Sequence, residues 1–249
     1  MRGNMRTTVL VALVLGLVGL ARAAGPANKC VGCHETEVLP ISLGHSFQDW
    51  RASAHGRGGV GCEKCHGGDA RVATADAAHH GVLPATDPAS LVHPTHLPDT
   101  CGACHTQELA AFKGTVHAKQ LAEKSTGATC FTCHGAMATS LPTPRELAAR
   151  CGVCHDKPLQ AELALGVLVM AKMQIRRTER ELAAATTASP AWRTGARERL
   201  HQLERDYHAI QLRWHTFAMA EVLQDSRDVL KLASGLRDEI GVMSRRGAR

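Results

Sequence analysis

The ten cysteines of this chain fall into a single pattern, CxxCH, written five times: Cys30-Cys33-His34, Cys62-Cys65-His66, Cys101-Cys104-His105, Cys130-Cys133-His134 and Cys151-Cys154-His155. None is left over. An even set of cysteines suits a disulfide framework, but disulfides have no use for a histidine after every second thiol. Zinc also takes cysteine pairs, yet a zinc fold would pair the motifs and would not require the same histidine each time. Covalent haem attachment accounts for every position. The two thiols add to the two vinyl groups on one edge of a porphyrin, and the next residue brings its imidazole to the iron as proximal ligand. The spacing therefore predicts five haems c, with the ten thiols as attachment points and His34, His66, His105, His134 and His155 as metal ligands.

Composition agrees. Of the 249 residues 44% are hydrophobic but only 3% aromatic, so the large flat side chains that usually dominate a core are missing. Five macrocycles would supply that burial, and the polypeptide without them is expected to be largely unfolded. The formal net charge is +6, and a small basic excess of this kind does not point to nucleic acid. Each haem, with its two propionates, adds about −1 oxidised and about −2 reduced, which turns the chain from Ala24 onward, formally +3, mildly acidic.

Ten of the 15 histidines lie outside the motifs, and five are needed if every iron takes a second imidazole. Two share a context. Ser53-Ala54-His55 precedes Cys62-Glu63-Lys64-Cys65-His66-Gly67, Thr115-Val116-His117 precedes Cys130-Phe131-Thr132-Cys133-His134-Gly135, and each motif is followed by a CGxCH. The chain thus reads as a repeat, with His55 and His117 at equivalent places as distal ligands. His45, eleven residues after the first motif and just before Phe47 and Trp50, is a further candidate. In the Pro/Gly/Asp-rich stretch after the second motif His79 is expected to reach an iron, in competition with His80, His93 and His96.

No cysteine follows His155, and the chain changes character there. Two long helical patterns run from Leu159 to Thr186 and from Ala191 to Leu236, with Ser189 as cap and Pro190 opening the second. Leu200, Leu203, Tyr207, Ile210, Trp214 and Phe217 recur at spacings of three and four, a seam suited to a hairpin. His201, His208 and His215 form a stripe beside it. The first two read as solvated, but His215 lies in the most apolar part of the pattern and is expected to cap a haem. The fold expected is mostly α with long loops, organised around five haems, with a C-terminal helical hairpin: a pentahaem-binding domain over 24–157 and a hairpin region over 158–249.

Residues 1–23 read as a cleaved export signal. Arg2 and Arg6 precede an apolar run from Val9 to Ala21, and Ala21-Arg22-Ala23 offers the small-x-small pattern of a cleavage site. Loss of Arg2, Arg6 and Arg22 would lower the formal charge from +6 to +3 and leave a periplasmic chain starting at Ala24.

The five motifs, the SxH before CEKCHGG, the LPDTCGACH segment and the long terminal helices resemble the periplasmic multihaem cytochrome c family. Within it they are similar to the branch of pentahaem nitrite reductase, hydroxylamine oxidoreductase and octahaem tetrathionate reductase, over roughly residues 30 to 155. The resemblance implies haem c, electron transfer, and redox partner proteins such as a quinol-oxidising membrane protein or a terminal reductase. Two departures bear on catalysis. The nitrite reductases of the branch usually carry Lys in place of one motif histidine, whereas all five motifs here end in His. The hydroxylamine enzymes cross-link a tyrosine to their catalytic haem, and the one tyrosine here is Tyr207, in the helical seam. No catalytic residue is therefore assigned. The expectation is an electron carrier with mainly bis-histidine haems; the alternative is a reductase of nitrite, hydroxylamine or a sulfur oxyanion with one open haem. The basic excess of the C-terminal helices suits docking to an acidic partner in a membrane-associated complex, or a homo-oligomer.

Overall fold

Cap residues and glycines recur through the first part of the chain too often for any helix to grow long. The computed structural model describes residues 28–36, 44–135, 137, 142–156 and 158–247; the expected export signal lies outside them. Ten short helices come first: α1 (Lys29–His34), α2 (Phe47–Ala52), α3 (Ala54–Arg57), α4 (Glu63–His66), α5 (Ala75–Ala78), α6 (Leu97–Gly102), α7 (Thr106–Lys113), α8 (Val116–Lys124), α9 (Cys130–His134) and α10 (Pro144–Cys151). Ser46, Ser53, Thr115 and Thr143 cap four of them, each accepting a hydrogen bond from a backbone N–H in the first turn. No strand occurs among the described residues.

Three long helices follow: α11 (Leu159–Ala184), α12 (Pro190–Trp214) and α13 (Met219–Gly247). Ser189 caps α12 by accepting from the Trp192 N–H, with Pro190 in the first turn, as the sequence predicts. The three helices pack on one another, and α10 packs on α11. Leu165, Leu168, Leu200, Leu203, Ile210, Val222, Leu236 and Ile240 lie in one buried cluster, and Leu147 of α10 joins it. The α11–α13 seam is lined by small residues: Ala164, Ala171, Ala233, Thr178 and Ser226 are all 0% exposed. The Thr178 hydroxyl donates across that seam to the Ala233 carbonyl at 3.1 Å and within its own helix to Gln174 at 2.9 Å. With no room at this contact, Ala233→Leu is expected to cost about 1–3 kcal/mol through overpacking. Thermal melting of the holoprotein checks it, against a neutral control at the exposed Leu232.

The expected hairpin is therefore corrected to a three-helix arrangement. The second long pattern breaks after Trp214, and α13 then runs to Gly247, well past Leu236. At the break the N–H groups of Thr216 and Phe217 donate to the carbonyls of Arg213 and Trp214 at 2.9 and 3.0 Å, tightening the last turn. Phe217 then enters the left-handed region with φ 58°, which ends the helix. Neither glycine nor proline stands there, and the apolar spacing continues through the turn, so periodicity alone runs across it. Leu200, Leu203, Tyr207 and Ile210 are buried as the seam predicts, while Phe217 leaves it. The Tyr207 hydroxyl is buried without a hydrogen-bond partner among the described residues, and burial raises its pKa.

Candidate haem sites

Each motif sits on a short helix or at its end. The first, second and fourth are carried by α1, α4 and α9, whereas the third and fifth begin at the C-terminal ends of α6 and α10 and finish in the turns after them. Glycine lets the chain leave α4 and α9 abruptly: Gly67 has φ 78° and Gly135 has φ 66°. Gly68 has a second role. A Cβ there would lie 2.3 Å from the Ala78 carbonyl oxygen, so only glycine admits the approach that brings α5, and with it His79, back to the motif region.

Five imidazole pairs result, each joining one motif histidine to one histidine from elsewhere. Ring centres are 5.9 Å apart for His34–His79, 5.9 Å for His66–His45, 6.1 Å for His105–His55, 6.2 Å for His134–His215 and 5.8 Å for His155–His117. A metal–nitrogen bond of about 2.0–2.1 Å on each side, plus about 1.1 Å from nitrogen to ring centre, spans about 6.2 Å between two opposed imidazoles. The five gaps, 5.8 to 6.2 Å, come within about 0.4 Å of that span. Apolar side chains also lie uncovered beside the pairs. Leu91 is 46% exposed, Val116 70%, Phe131 43% and Val153 83%; Phe131 and Val153 are inside motifs, and Val116 adjoins His117. A flat apolar macrocycle suits such surfaces.

Three of the five distal rings have a fixed tautomer. The Nδ1 of His45 lies 3.1 Å from the Ser46 carbonyl oxygen, that of His79 2.9 Å from Ala75, and that of His215 3.1 Å from Gln211. A carbonyl can only accept, so Nδ1 carries the proton and Nε2 is left with its lone pair, the arrangement that orients a metal ligand. His55 and His117 are held differently. Each is the second residue of a helix whose first turn is pinned by a hydroxyl cap, Ser53 to the Gly56 N–H and Thr115 to the Ala118 N–H. This gives the SxH and TxH contexts a physical reason. The two are also placed alike: both histidines pass over the nearer motif to face the second motif of their module, His105 and His155.

Consecutive motifs are neighbours in space. Between the first and second, Asn28 donates to Glu63 Oε2 at 2.9 Å and the Lys29 N–H to the Ala70 carbonyl at 2.8 Å. Cys65 of the second lies within electrostatic reach of Cys101 and Cys104 of the third. The Cys101 thiol is hydrogen-bonded to Cys130 of the fourth, and α6 packs on α9. Arg150, next to Cys151 of the fifth, donates to the carbonyl of Cys133, and α9 packs on α10. The sites thus follow one another in chain order.

Burial and neighbouring groups raise the thiols of Cys30, Cys62, Cys65 and Cys133, and burial raises Cys151. These are not the electropositive surroundings that make a thiolate ligand. Among the described residues no three His, Cys, Asp or Glu side chains converge as they would on a bare metal ion. Burial lowers the pKa of His66, His117 and His134, in each case with help from the facing histidine, and so favours the neutral, ligating form.

His93 and His96 face each other at 6.0 Å, held through Thr95 and the Ser90 carbonyl. His80 is exposed; His201, also exposed, bonds to Glu204 at 3.0 Å, and His208 is exposed on the same helix. Tyr207 lies in the helical core rather than at a motif. Sequence reasoning does not reach the crossed pairing, Gly68 or Phe217. The doubled glycine of CHGG is a signal for the second of these; for Phe217 there is none.

The family described as Cytochrome c554 and c-prime matches residues 18–67. A C-type polyheme cytochrome, OmcC, from Geobacter sulfurreducens is 32% identical over 83 residues, 33% of this chain and 10% of that protein. OmcB, a C-type polyheme cytochrome of the same species, is 36% identical over 116 residues, 43% of this chain and 13% of that one. The matched region therefore spans only about a tenth of the length of these relatives. No solved structure matches the chain. With the CxxCH motifs and the matches to polyhaem cytochromes together, the chain is a multihaem c-type cytochrome with haem c as its cofactor.

Proposed function

We propose that the chain is a periplasmic electron-transfer protein that holds five haems c in chain order, each between two imidazoles. The observation that carries this reading is the set of five histidine pairs at 5.8 to 6.2 Å. Bound haem supplies reversible one-electron chemistry at iron. The chain's own part would be to offer two imidazoles to each iron, to orient His45, His79 and His215 through their Nδ1 bonds, and to set the sites side by side. His34 with His79, His66 with His45, His105 with His55, His134 with His215 and His155 with His117 are the proposed ligand pairs. Two strong protein ligands leave no vacancy for a substrate and keep potentials low compared with His/Met pairs. A reductase of the nitrite, hydroxylamine or tetrathionate kind needs a motif histidine with nothing opposite it, and each of the five has a partner ring. Export through residues 1–23 accords with the compartment in which c-type haem is attached. Partners are then other redox proteins, a quinol-oxidising membrane protein on one side or a terminal reductase on the other. Among the described residues no helix is long and apolar enough to cross a membrane.

Mass spectrometry of the denatured holoprotein and low-temperature EPR test the reading together. The mass is expected to exceed that of the polypeptide from Ala24 by five haems, and the oxidised protein to give only low-spin ferric signals. Four haems or fewer would remove a motif. A stoichiometric high-spin signal that shifts with nitrite would turn the reading into the reductase.

A further inference from the structure

We propose that Phe217 is a positioning residue for His117, and that through it the turn between α12 and α13 governs the distal side of both the fourth and the fifth sites. The inference rests on the ligand pairs proposed above. The Phe217 ring stands edge-on to the His117 imidazole, with ring centres 4.4 Å apart and planes at 76°. This is closer than either ring stands to any other with which it is paired among the described residues, since His117 and His155 are 5.8 Å apart at 81°. Aromatic edge-to-face contact has a preferred direction, and so restricts rotation of the imidazole about its own bond as an aliphatic neighbour would not.

The backbone supplies an independent argument. Phe217 has φ 58°, a conformation that a bulky residue rarely adopts and keeps only where its surroundings over-determine it. The surroundings do so here. Its N–H donates to the Trp214 carbonyl at 3.0 Å, its own carbonyl accepts from the Met219 N–H at 2.9 Å, and the Thr216 hydroxyl donates to Arg213 at 2.8 Å. Arg213 and Asp225 pair across the turn and tie the end of α12 to α13. An αR conformation at this residue would continue the helix and swing the ring off α8. Two residues earlier, the same turn places His215 opposite His134 at 6.2 Å. One strained turn of the helical bundle thus sets two distal imidazoles that belong to neighbouring sites. The Thr115 cap and the bond of the Thr115 N–H to the Phe112 carbonyl at 2.9 Å hold the backbone before His117, and neither fixes the plane of its ring.

Four variants of the full holoprotein test the proposal. His117→Ala is expected to remove one strongly anisotropic low-spin EPR signal and create one high-spin haem, which identifies the fifth site. Phe217→Leu, which keeps apolar bulk and backbone demand, and Phe217→Gly, which also relieves the positive φ, are expected to shift that same signal. Both should speed cyanide entry at that haem about two- to tenfold, the effect of losing one edge-to-face contact. Phe217→Tyr should restore the native spectrum and rate. The proposal falls if the signal and rate stay native in Phe217→Leu, or if only the signal of the His134–His215 site moves. If Phe217→Gly fails to take up haem, Phe217→Leu decides alone. An unchanged spectrum in His117→Ala would instead overturn the ligand pairing, and this inference with it.

Discussion

Replacing His215 by alanine is expected to extinguish one rhombic low-spin EPR signal and to put one high-spin, carbon-monoxide-binding haem in its place. The ring planes of His134 and His215 are 17° apart, nearly parallel, whereas the other four pairs lie between 51° and 88°. Parallel axial imidazoles split the two iron d orbitals that interact with them and give a rhombic signal. Crossed planes leave those orbitals nearly degenerate and give a strongly anisotropic one. The oxidised protein should therefore show one rhombic component beside several anisotropic ones, and His215→Ala should remove that component alone. The turn should survive the change, because the Thr216 and Phe217 N–H bonds and the Arg213–Asp225 pair do not use the imidazole. Exchange of a strong nitrogen ligand for water or a vacancy should also raise the potential of that haem, seen in a redox titration. His201→Ala and His208→Ala, on the same stripe but exposed, should leave the spectrum native. A native spectrum in His215→Ala would remove His215 from the ligand set.

The proposed ligands are not equally legible in the sequence. The motif residues are legible because covalent attachment fixes both their type and their spacing. His215 is legible because an imidazole between Trp214 and Phe217 lies in apolar surroundings that offer an unligated ring little. His55 and His117 are legible because a hydroxyl cap two residues earlier marks a helix start. Their partners are not, since each distal histidine passes over the nearer motif, and that crossing depends on how α3 and α8 pack rather than on spacing. The choice of His79 over its neighbour His80 turns on the 2.9 Å bond of its Nδ1 to Ala75, one helical turn back, and on the approach that Gly68 permits. The break at Phe217 escapes because left-handed aromatic residues carry no compositional mark. The seam of Val222, Ser226, Val229, Ala233, Leu236 and Ile240 resumes beyond it in the same three-and-four rhythm.

Without haem the chain is expected to come apart unevenly, and this refines the expectation that the polypeptide alone is largely unfolded. Up to the fourth haem motif the buried apolar side chains are few, Pro98, Phe112 and Leu121, while Leu147 already belongs to the helical cluster. The helices of that part run from 4 to 9 residues, too short to persist in water unsupported. From α11 onward the helices have 26, 25 and 29 residues and bury a continuous apolar seam with one another. Nothing in that seam calls for porphyrin. Protein made in a host lacking cytochrome maturation, or with all ten cysteines replaced by serine, should keep the far-UV circular dichroism of the three long helices and a cooperative melt. Its motif-bearing segment should be cut freely by protease, leaving a resistant fragment that begins near Pro158. In the holoprotein the same sites should be protected, because thioether bonds and axial imidazoles then cross-link segments that side-chain burial alone does not hold. Resistance throughout residues 44–135 in the haem-free chain would mean that side chains, not macrocycles, make that interior. Loss of all helical signal would mean that the C-terminal helices need the haem region to fold.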